Sequence, residues 1–370
     1  MRATTATIDL AALARNLERA RQAAPQSRVL AVVKADGYGH GLERVALALR
    51  AADGFGVATL TDAERIRRLG LRQRVVLLSG FDEAKDLLDL RALQVDPVIH
   101  HESQLRLLEA DRKAKPMRVW LKFNTGMNRL GFQPAEARRS YERLRALPWI
   151  DPDIVLMTHF ASADEPDAGD TLAQCERFAA FTEGLPGPRS LANSAALQRF
   201  PATHADWVRP GGWLYGMSTF SDRSGAELGL EPAMSLGTRL IAINELAAGD
   251  RIGYGGSYRC PEAMRVGIAA IGYGDGYPRA LPSGTPILVA GRRASTVGRV
   301  SMDLVAIDLR QVPEAEVGSE VIAWGPTLPV EHIAAAAGTI GYELTCGVTR
   351  RVAFAEAGAA LSPQTPRVRS

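Results

Sequence analysis

Between about residues 28 and 210, short apolar runs alternate with longer amphipathic or charged segments. The apolar runs are rich in β-branched residues, as strands are, and the segments between them carry apolar residues at helical spacing. After the first run, for example, Leu42, Val45 and Leu49 fall at positions i, i+3 and i+7. The pattern predicts eight strand-then-helix units, with strands at residues 28–34, 54–59, 74–79, 95–100, 117–123, 153–158, 188–192 and 206–209.

Eight such units favour a (β/α)8 barrel over an open sheet. The segment TDAE, at Thr61 to Glu64, has the form of a capping box that opens the helix after the second strand. After about residue 230, helical periodicity fades, glycine and proline turns multiply, and short alternating runs such as 303–309 predict β-structure with one short helix at 330–337. We therefore predict the α/β class, with a barrel domain at 1–230 and a mostly-β domain at 231–370. The first ~10 residues could pack with the β domain.

Composition narrows the class of protein. The 370 residues include 44 basic and 41 acidic ones, a net charge of +3, which argues against a nucleic-acid or polybasic membrane protein. No uncharged run approaches the ~20 residues of a membrane helix, and no apolar signal segment follows Met1. The three cysteines are far apart and form no CxxC pair, so neither a metal site nor a redox motif is predicted. We expect a soluble, cytoplasmic protein.

Polar residues follow several predicted strands, at the end of a barrel where active sites form. The first strand ends at Lys34, and a buried lysine stem would lower the amine pKa and favour Schiff-base chemistry. The loops after the last two strands are the usual phosphate cradle of this fold. A Schiff-base lysine with a phosphate cradle points to pyridoxal phosphate (PLP). The residues concerned are Lys34, Lys122, Asn124, Arg129, His159, Asn193, Ser194, Arg209, Gly211 and Gly212.

Each of these residues also has an ordinary structural interpretation. Lys34 is compatible with a solvated strand end, His159 with a rim histidine, and Arg209 with an ion pair. Gly211 and Gly212 are compatible with a simple turn. Their shared position at one end of one predicted fold favours a binding site.

Nine segments, in order along nearly the whole chain, resemble signatures of the alanine racemase family. They are AVVKADGYGHG (31–41), LKFNTGMNRLG (121–131), THFA (158–161), NSAA (193–196), VRPG (208–211), YGGSY (254–258), IGYGDGYPR (271–279), VGRVSMD (297–303) and GTIGYE (338–343).

The resemblance implies a PLP-dependent homodimer that interconverts L- and D-alanine, with no nucleic-acid or membrane partner. It implies that Lys34 binds PLP covalently and acts as the base on one face of the substrate Cα. Tyr254 of the partner subunit would be the base on the other face. Such an isomerase would supply D-alanine as a peptidoglycan precursor or feed alanine catabolism.

The resemblance also implies roles around these two bases. The PLP phosphate would be bound by Tyr38, Ser194, Gly211, Gly212 and Tyr342, with Asn193 beside them. Arg209 would face the pyridine nitrogen, and His159 would hydrogen-bond near Arg209 and Tyr254. Arg129 and the Met302 backbone would orient the substrate carboxylate. Tyr273, Arg279 and Tyr342 would line the entrance, and Lys122 matches a lysine that is often carbamylated and then positions Arg129.

Small departures from the family pattern concern subfamily and substrate tolerance. Asp36 and Gly37 stand where many members have Asn and Ala, Asn124 where Asp is common, and Ser301 where Cys is common. One alternative is a PLP-dependent amino-acid decarboxylase of the same fold, against which Arg209 and Tyr254 argue. The others are a barrel that only handles free PLP, which would lack the β domain, and a broad-specificity racemase, which would typically be exported.

Overall fold

The structure is a computed structural model that describes residues 4–111 and 116–358. Its contacts divide the described chain into two compact units. One, the barrel unit, contains Asn16–Leu214 and Thr219–Ser221. The other, the β unit, contains the described residues up to Arg15, Tyr215–Ser218 and those from Asp222 onward. The sequence-based division of domains at residue 230 stays a prediction. Within the described ranges, no helix combines the length and apolar character needed to cross a membrane.

Eight short parallel strands form the barrel unit's sheet. Strand β1 (Thr5–Asp9) and helix α1 (Leu10–Ala23) precede them in the chain. The barrel strands are β2 (Arg28–Val32), β3 (Gly54–Val57), β4 (Arg74–Leu77), β5 (Val95–Ile99), β6 (Trp120–Lys122), β7 (Val155–Met157), β8 (Arg189–Ser190) and β9 (Trp207–Val208).

The sheet closes on itself. Neighbouring strands pair in the order β8-β7-β6-β5-β4-β3-β2-β9. Between β8 and β9, the Asp206 N–H donates to the Arg189 carbonyl at 3.1 Å and the Arg209 N–H to the Ala192 carbonyl at 3.0 Å. The predicted (β/α)8 barrel is thereby confirmed, with all eight strands present in narrower bounds.

Helices connect the barrel strands. The first connecting segment, α2 (Lys34–Tyr38), is a single left-handed turn. The others are α3 (Leu42–Ala48), α4 (Leu60–Arg68), α5 (Asp86–Ala92), α6 (Glu102–Ala110), α7 (Pro134–Arg145), α8 (Gly169–Phe181) and α9 (Ser194–Arg199). The predicted cap of α4 was wrong by two residues. Thr59, in extended conformation, accepts the Asp62 N–H at 3.1 Å, because Leu60 is already helical and Thr61 lies inside the helix.

Apolar side chains fill the barrel interior, as expected for a parallel sheet covered by helices. The cluster includes Leu30, Val98, Val155 and two tryptophans, Trp120 and Trp207, whose ring centroids lie 5.6 Å apart. This packing fixes the strands as a rigid frame, and their carboxyl ends carry the loops described below.

The β unit is built on a second eight-stranded sheet. The pairing order is β13-β16-β15-β14-β17-β10-β1-β18, and β13 also pairs with β10, so six of the strands form a closed ring. The strands after the barrel are β10 (Met234–Leu246), β11 (Arg251–Ile252), β12 (Tyr258–Arg259), β13 (Met264–Ala269), β14 (Pro286–Val289), β15 (Arg292–Val297), β16 (Val305–Asp308), β17 (Glu320–Trp324) and β18 (Ala353–Ala357).

Among the described residues of the β unit that follow the barrel, two segments are α-helical. The predicted helix at residues 330–337 is confirmed as α10 (Val330–Ala337). A second helix, α11 (Gly341–Cys346), was not predicted, because six residues that begin with glycine are too few to show a helical period. Together with the mostly antiparallel sheet, these helices confirm the predicted mostly-β architecture.

Candidate active site

The chain leaves the first barrel strand through a left-handed turn. Ala35, Asp36, Gly37 and Tyr38 have φ angles of 54°, 54°, 63° and 53°. A left-handed conformation costs a residue with a side chain roughly 1–2 kcal/mol. Three of the four residues carry side chains, so the turn depends on bonds from its surroundings.

Three contacts supply those bonds. The Asp36 carboxylate accepts the Leu42 N–H at 3.0 Å and pairs with Arg65 at 2.7 Å. Nδ1 of the buried His40 lies 2.9 Å from the Tyr38 carbonyl, which can only accept, so Nδ1 carries the hydrogen. Burial lowers the pKa of His40 to about 4. Glycine is favoured at position 37 for two reasons. Its φ is positive, and a Cβ there would lie 2.9 Å from the Val45 side chain.

The expectation of a buried lysine stem was wrong. Lys34 is exposed, because β2 ends at Val32 and Lys34 stands beyond the barrel wall, at the start of the left-handed turn. The turn therefore presents Lys34 at the rim and directs the chain on to Tyr38.

Tyr38 meets the loops that follow the last two barrel strands. A Cβ on Gly211 would collide with the Tyr38 hydroxyl, so a larger residue there would displace the Tyr38 side chain. The Ser194 hydroxyl accepts the Gly211 N–H at 2.9 Å. Asn193 caps α9 by accepting the Ala196 N–H at 3.0 Å, which fixes Ser194 at the first helical position. Two hydroxyls and a glycine backbone thus converge in one small cradle.

Arg209 is buried in the barrel wall. Its Nη1 donates to the Ser190 hydroxyl at 2.6 Å, and its Nη2 donates to the Thr158 and Leu191 carbonyls at 2.7 and 3.0 Å. Nη2 also lies 3.4 Å from Nδ1 of His159. Burial lowers the pKa of Arg209 to about 10. Among the described residues it has no carboxylate partner, and both terminal nitrogens are engaged with the wall, which leaves Nε–H for a ligand.

Positive charge accumulates at this rim. The pKa of Lys122 is lowered to about 8, first by burial and then by the neighbouring charges of Arg209, Arg129 and Lys34. The pKa of His159 is held well below its ordinary value, first by burial and then by the same cations and Lys122. A cluster of cations beside hydroxyl and N–H donors fits an anionic ligand. The cradle and the unpaired arginine fit the phosphate and the ring nitrogen of PLP.

Arg129 stands on a constrained loop. The Asn124 side chain accepts the N–H groups of Gly126 and Asn128 at 3.1 and 3.0 Å. Its Nδ2 donates to the Asn128 side-chain oxygen at 2.9 Å, a bond that an ionised aspartate at this position could not donate. The Arg129 side chain is exposed.

The β unit carries the remaining candidate residues. Tyr254 is 69% exposed at the tip of the hairpin formed by β11 and β12. Tyr273 and Met302 are also exposed and are joined through backbone bonds, Tyr273 N–H to the Ser301 carbonyl at 3.0 Å and Gly274 N–H to the Met302 carbonyl at 2.9 Å. Among the described residues, no backbone carbonyl accepts the Met302 N–H. Arg279 is exposed, and Tyr342 is half-buried in α11.

Sequence reasoning missed several residues that support this site. They are His40, Thr125, Thr158, Gln174 and Ser190, all buried polar groups bonded to the loops that carry the candidate residues. Nothing in their local spacing distinguishes them from ordinary loop or helix residues.

Known proteins resemble this chain along nearly its whole length. The family models of the alanine racemase N-terminal and C-terminal domains match residues 8–219 and 233–355. A curated alanine racemase of Nitrosococcus oceani is 53% identical over 350 residues, which are 94% of this chain and 97% of that protein. One from Nitrosospira multiformis is 50% identical over 348 residues, 94% of this chain and 97% of that protein.

Solved structures resemble it equally broadly. The crystal structure of the biosynthetic alanine racemase from Pseudomonas aeruginosa has a TM-score of 0.94 and 46% sequence identity, covering 96% of this chain and 100% of that one. Alanine racemase from Acinetobacter baumannii has a TM-score of 0.92 and 38% identity, covering 96% of this chain and 100% of that one. The chain therefore belongs to the alanine racemase family.

Proposed function

We propose that this protein is a PLP-dependent racemase that interconverts L- and D-alanine. The observation that carries the proposal is the convergence, at one rim, of Lys34, a cradle of hydroxyl and N–H groups, and a buried arginine that has no acidic partner in the described part of the chain. The names of the relatives supply the substrate. A role in supplying D-alanine for the cell wall or in alanine catabolism fits this activity, as does a cytoplasmic location.

The residues of the rim have distinct tasks in holding the cofactor. Lys34 would bind PLP covalently, and its phosphate would rest among Tyr38, Ser194, Gly211 and Gly212, with Tyr342 as a further donor and Asn193 as the residue that positions Ser194. When bound, PLP supplies an electron sink that makes the Cα–H of an attached amino acid acidic.

Arg209 would face the ring nitrogen through Nε. Even with its pKa lowered to about 10, the guanidinium keeps its proton at neutral pH. It therefore donates a hydrogen bond but does not give up a proton. An arginine in this place makes the electron sink weaker than a carboxylate partner would, which should limit side reactions such as transamination. His159 lies next to Nη2 of Arg209. Because its pKa is held well below the ordinary value, its imidazole is neutral at neutral pH and adds no charge beside Arg209.

Racemisation needs a proton removed from one face of Cα and another delivered to the opposite face. Lys34 would serve one face. Tyr254 of a second copy of the chain would serve the other, so the active enzyme would be a homodimer with shared sites. The exposed position of Tyr254 on a hairpin tip makes it accessible to a second copy.

The substrate carboxylate would be oriented by Arg129 and by the Met302 N–H. Lys122 would position Arg129. A buried amine with a pKa near 8 is partly unprotonated at neutral pH, the form that reacts with carbon dioxide to give a carbamate. A carbamate there would pair with Arg129 and offset the surrounding positive charge. Tyr273, Arg279 and Tyr342 would restrict entry to small substrates.

The decisive experiment follows the optical rotation of L- and D-alanine with the PLP-loaded protein. The wild type should bring both to zero rotation, and an unchanged rotation would refute the proposal. In Tyr254→Phe, exchange of the Cα hydrogen with solvent deuterium should be lost for one enantiomer more than for the other. Tyr258→Phe, on the same hairpin, is the matched control and should keep both. Lys34→Ala should abolish the visible absorbance of covalently bound cofactor.

A further inference from the structure

Helix α8 carries one almost fully buried amide, Gln174, which touches two rim loops. The side chain is 2% exposed. Its Nε2 donates to the Thr125 hydroxyl at 2.9 Å and to the His159 carbonyl at 3.1 Å, and its Oε1 accepts the Ala161 N–H at 2.9 Å. The backbone groups fix the orientation of the amide, since a carbonyl only accepts and an N–H only donates. Both amide hydrogens and the oxygen are therefore used.

On one side, Gln174 holds the loop that carries Arg129. Thr158 Oγ1 donates to the Phe123 carbonyl at 3.1 Å, so Thr125 donates to Thr158 across their 2.7 Å contact and accepts from Gln174. The result is a directed chain of hydrogen bonds from α8 to the end of β6. It anchors the loop at Thr125, four residues before Arg129.

On the other side, Gln174 holds the segment that carries His159. It binds this segment at two backbone positions, the His159 carbonyl and the Ala161 N–H. The preceding Thr158 carbonyl accepts from Arg209 at 2.7 Å. One side chain thus joins the loop of the carboxylate-binding arginine to the segment bonded to the cofactor-facing arginine.

We propose that Gln174 is a positioning residue that sets where Arg129 stands relative to His159 and Arg209, and thereby the affinity of the site for the substrate carboxylate. This inference rests on the proposed function, and in particular on the role of Arg129. The bonds of Gln174 run to Thr125, His159 and Ala161, so it would act on the substrate through the two loops. Because catalytic geometry tolerates little displacement, loss of this link should weaken carboxylate binding more than it alters the fold.

The barrel contains a matched control. Gln104, on α6, is likewise 2% exposed and joins two rim loops. Its Nε2 donates to the Phe81 carbonyl at 3.0 Å, and its Oε1 accepts the His100 N–H at 2.8 Å. These loops follow β4 and β5 and carry none of the candidate active-site residues. Removing either amide leaves buried backbone groups without a partner, so the costs to stability should be similar.

The test compares Gln174→Leu with Gln104→Leu as PLP-loaded proteins. Both should lower Tm. Only Gln174→Leu should raise KM for both alanine enantiomers, and the Kd of propionate measured by calorimetry, by about tenfold, the factor of roughly one lost hydrogen bond. Equal KM and Kd values in the two variants would overturn the inference.

A second variant tests the inference if Gln174→Leu fails to fold. Gln174→Glu keeps the side-chain volume and the acceptor for Ala161, but the ionised carboxylate donates to neither Thr125 nor His159. It should raise the Kd of propionate as Gln174→Leu does, and a wild-type Kd would count against the inference. If the wild type binds propionate but does not racemise alanine, the proposed function fails, while the Kd comparison still decides the role of Gln174.

Discussion

Lowering the pH should weaken the folded barrel through one buried residue, His40. Its side chain is 1% exposed and hydrogen-bonded to the Tyr38 carbonyl, and burial lowers its pKa from 6.5 to about 4. In the unfolded chain the imidazole regains its ordinary pKa. Between pH 6.5 and pH 4 the unfolded state therefore binds more protons than the folded state, and the free energy of unfolding falls as the pH falls.

The size of this loss follows from the shift. One pKa unit corresponds to about 1.4 kcal/mol. At pH 4 the unfolded histidine is almost fully protonated and the folded one about half, which gives a loss of about 3 kcal/mol relative to pH 7. The contribution becomes constant only about one pH unit below the folded pKa, where the histidine is protonated in both states. Such a loss is a large part of the stability of an ordinary domain.

The assay compares the wild type with His40→Gln, in which an amide can still donate to the Tyr38 carbonyl but does not titrate. Urea unfolding, followed by the fluorescence of the five tryptophans, which include the buried Trp120 and Trp207, gives the free energy of unfolding of each protein from pH 7 to pH 4. Because all other titrating groups are shared, the difference between the proteins isolates His40. It should shrink by about 3 kcal/mol across this range. A constant difference, or an NMR titration of the His40 ring near pH 6.5, would refute the reasoning.

Three further substitutions test the left-handed turn and the rim. Gly211→Ala should weaken PLP binding by about tenfold or more in an absorbance titration, because its Cβ displaces the Tyr38 hydroxyl. In a Tyr38→Phe background, Gly211→Ala should weaken PLP binding much less. Equal losses of affinity in the two backgrounds would contradict the proposed phosphate cradle. Arg209→Glu should increase transamination per racemisation event, measured as pyruvate formed, and unchanged partitioning counts against its proposed role. Asp36→Ala should destabilise the protein by about 1 kcal/mol more than Asp36→Asn in urea unfolding, because asparagine still accepts the Leu42 N–H. Equal stabilities would show that this bond does not hold the turn.

The barrel could be predicted from the sequence because each of its strands is a short apolar run that alternates with segments of helical periodicity. Single-residue features were less readable. Thr59 and Thr61 both precede a helical run with suitable caps, and only the backbone conformation of Thr59 decides between them. The exposure of Lys34 also escaped prediction, since an apolar run does not reveal where the barrel wall ends.

Long-range bonds explain what else the sequence could not reveal. Ala35 and Asp36 have no local reason to adopt positive φ, and the turn they form is held by contacts with His40 and Arg65. Gln174 bonds to Thr125, 49 positions away, and a polar residue on an amphipathic helix is ordinarily assigned to its solvent face. The candidate residues of the barrel were predicted because the carboxyl ends of its strands share one rim, and those of the β unit were predicted from the family resemblance alone.

The position of β1 has a consequence for how the protein is made. This first strand pairs with β10 at Thr5↔Gly237 and with β18 at Thr5↔Ala353. More than 200 residues separate it from the nearer partner, so at ~5–20 residues per second a ribosome needs roughly 10 to 45 seconds to deliver β10. During that interval the N-terminal segment has neither strand neighbour, while the barrel strands are completed behind it. Until β10 is made, the nascent chain therefore carries β1 as an unpaired strand edge, to which a chaperone could bind or another nascent chain could pair prematurely.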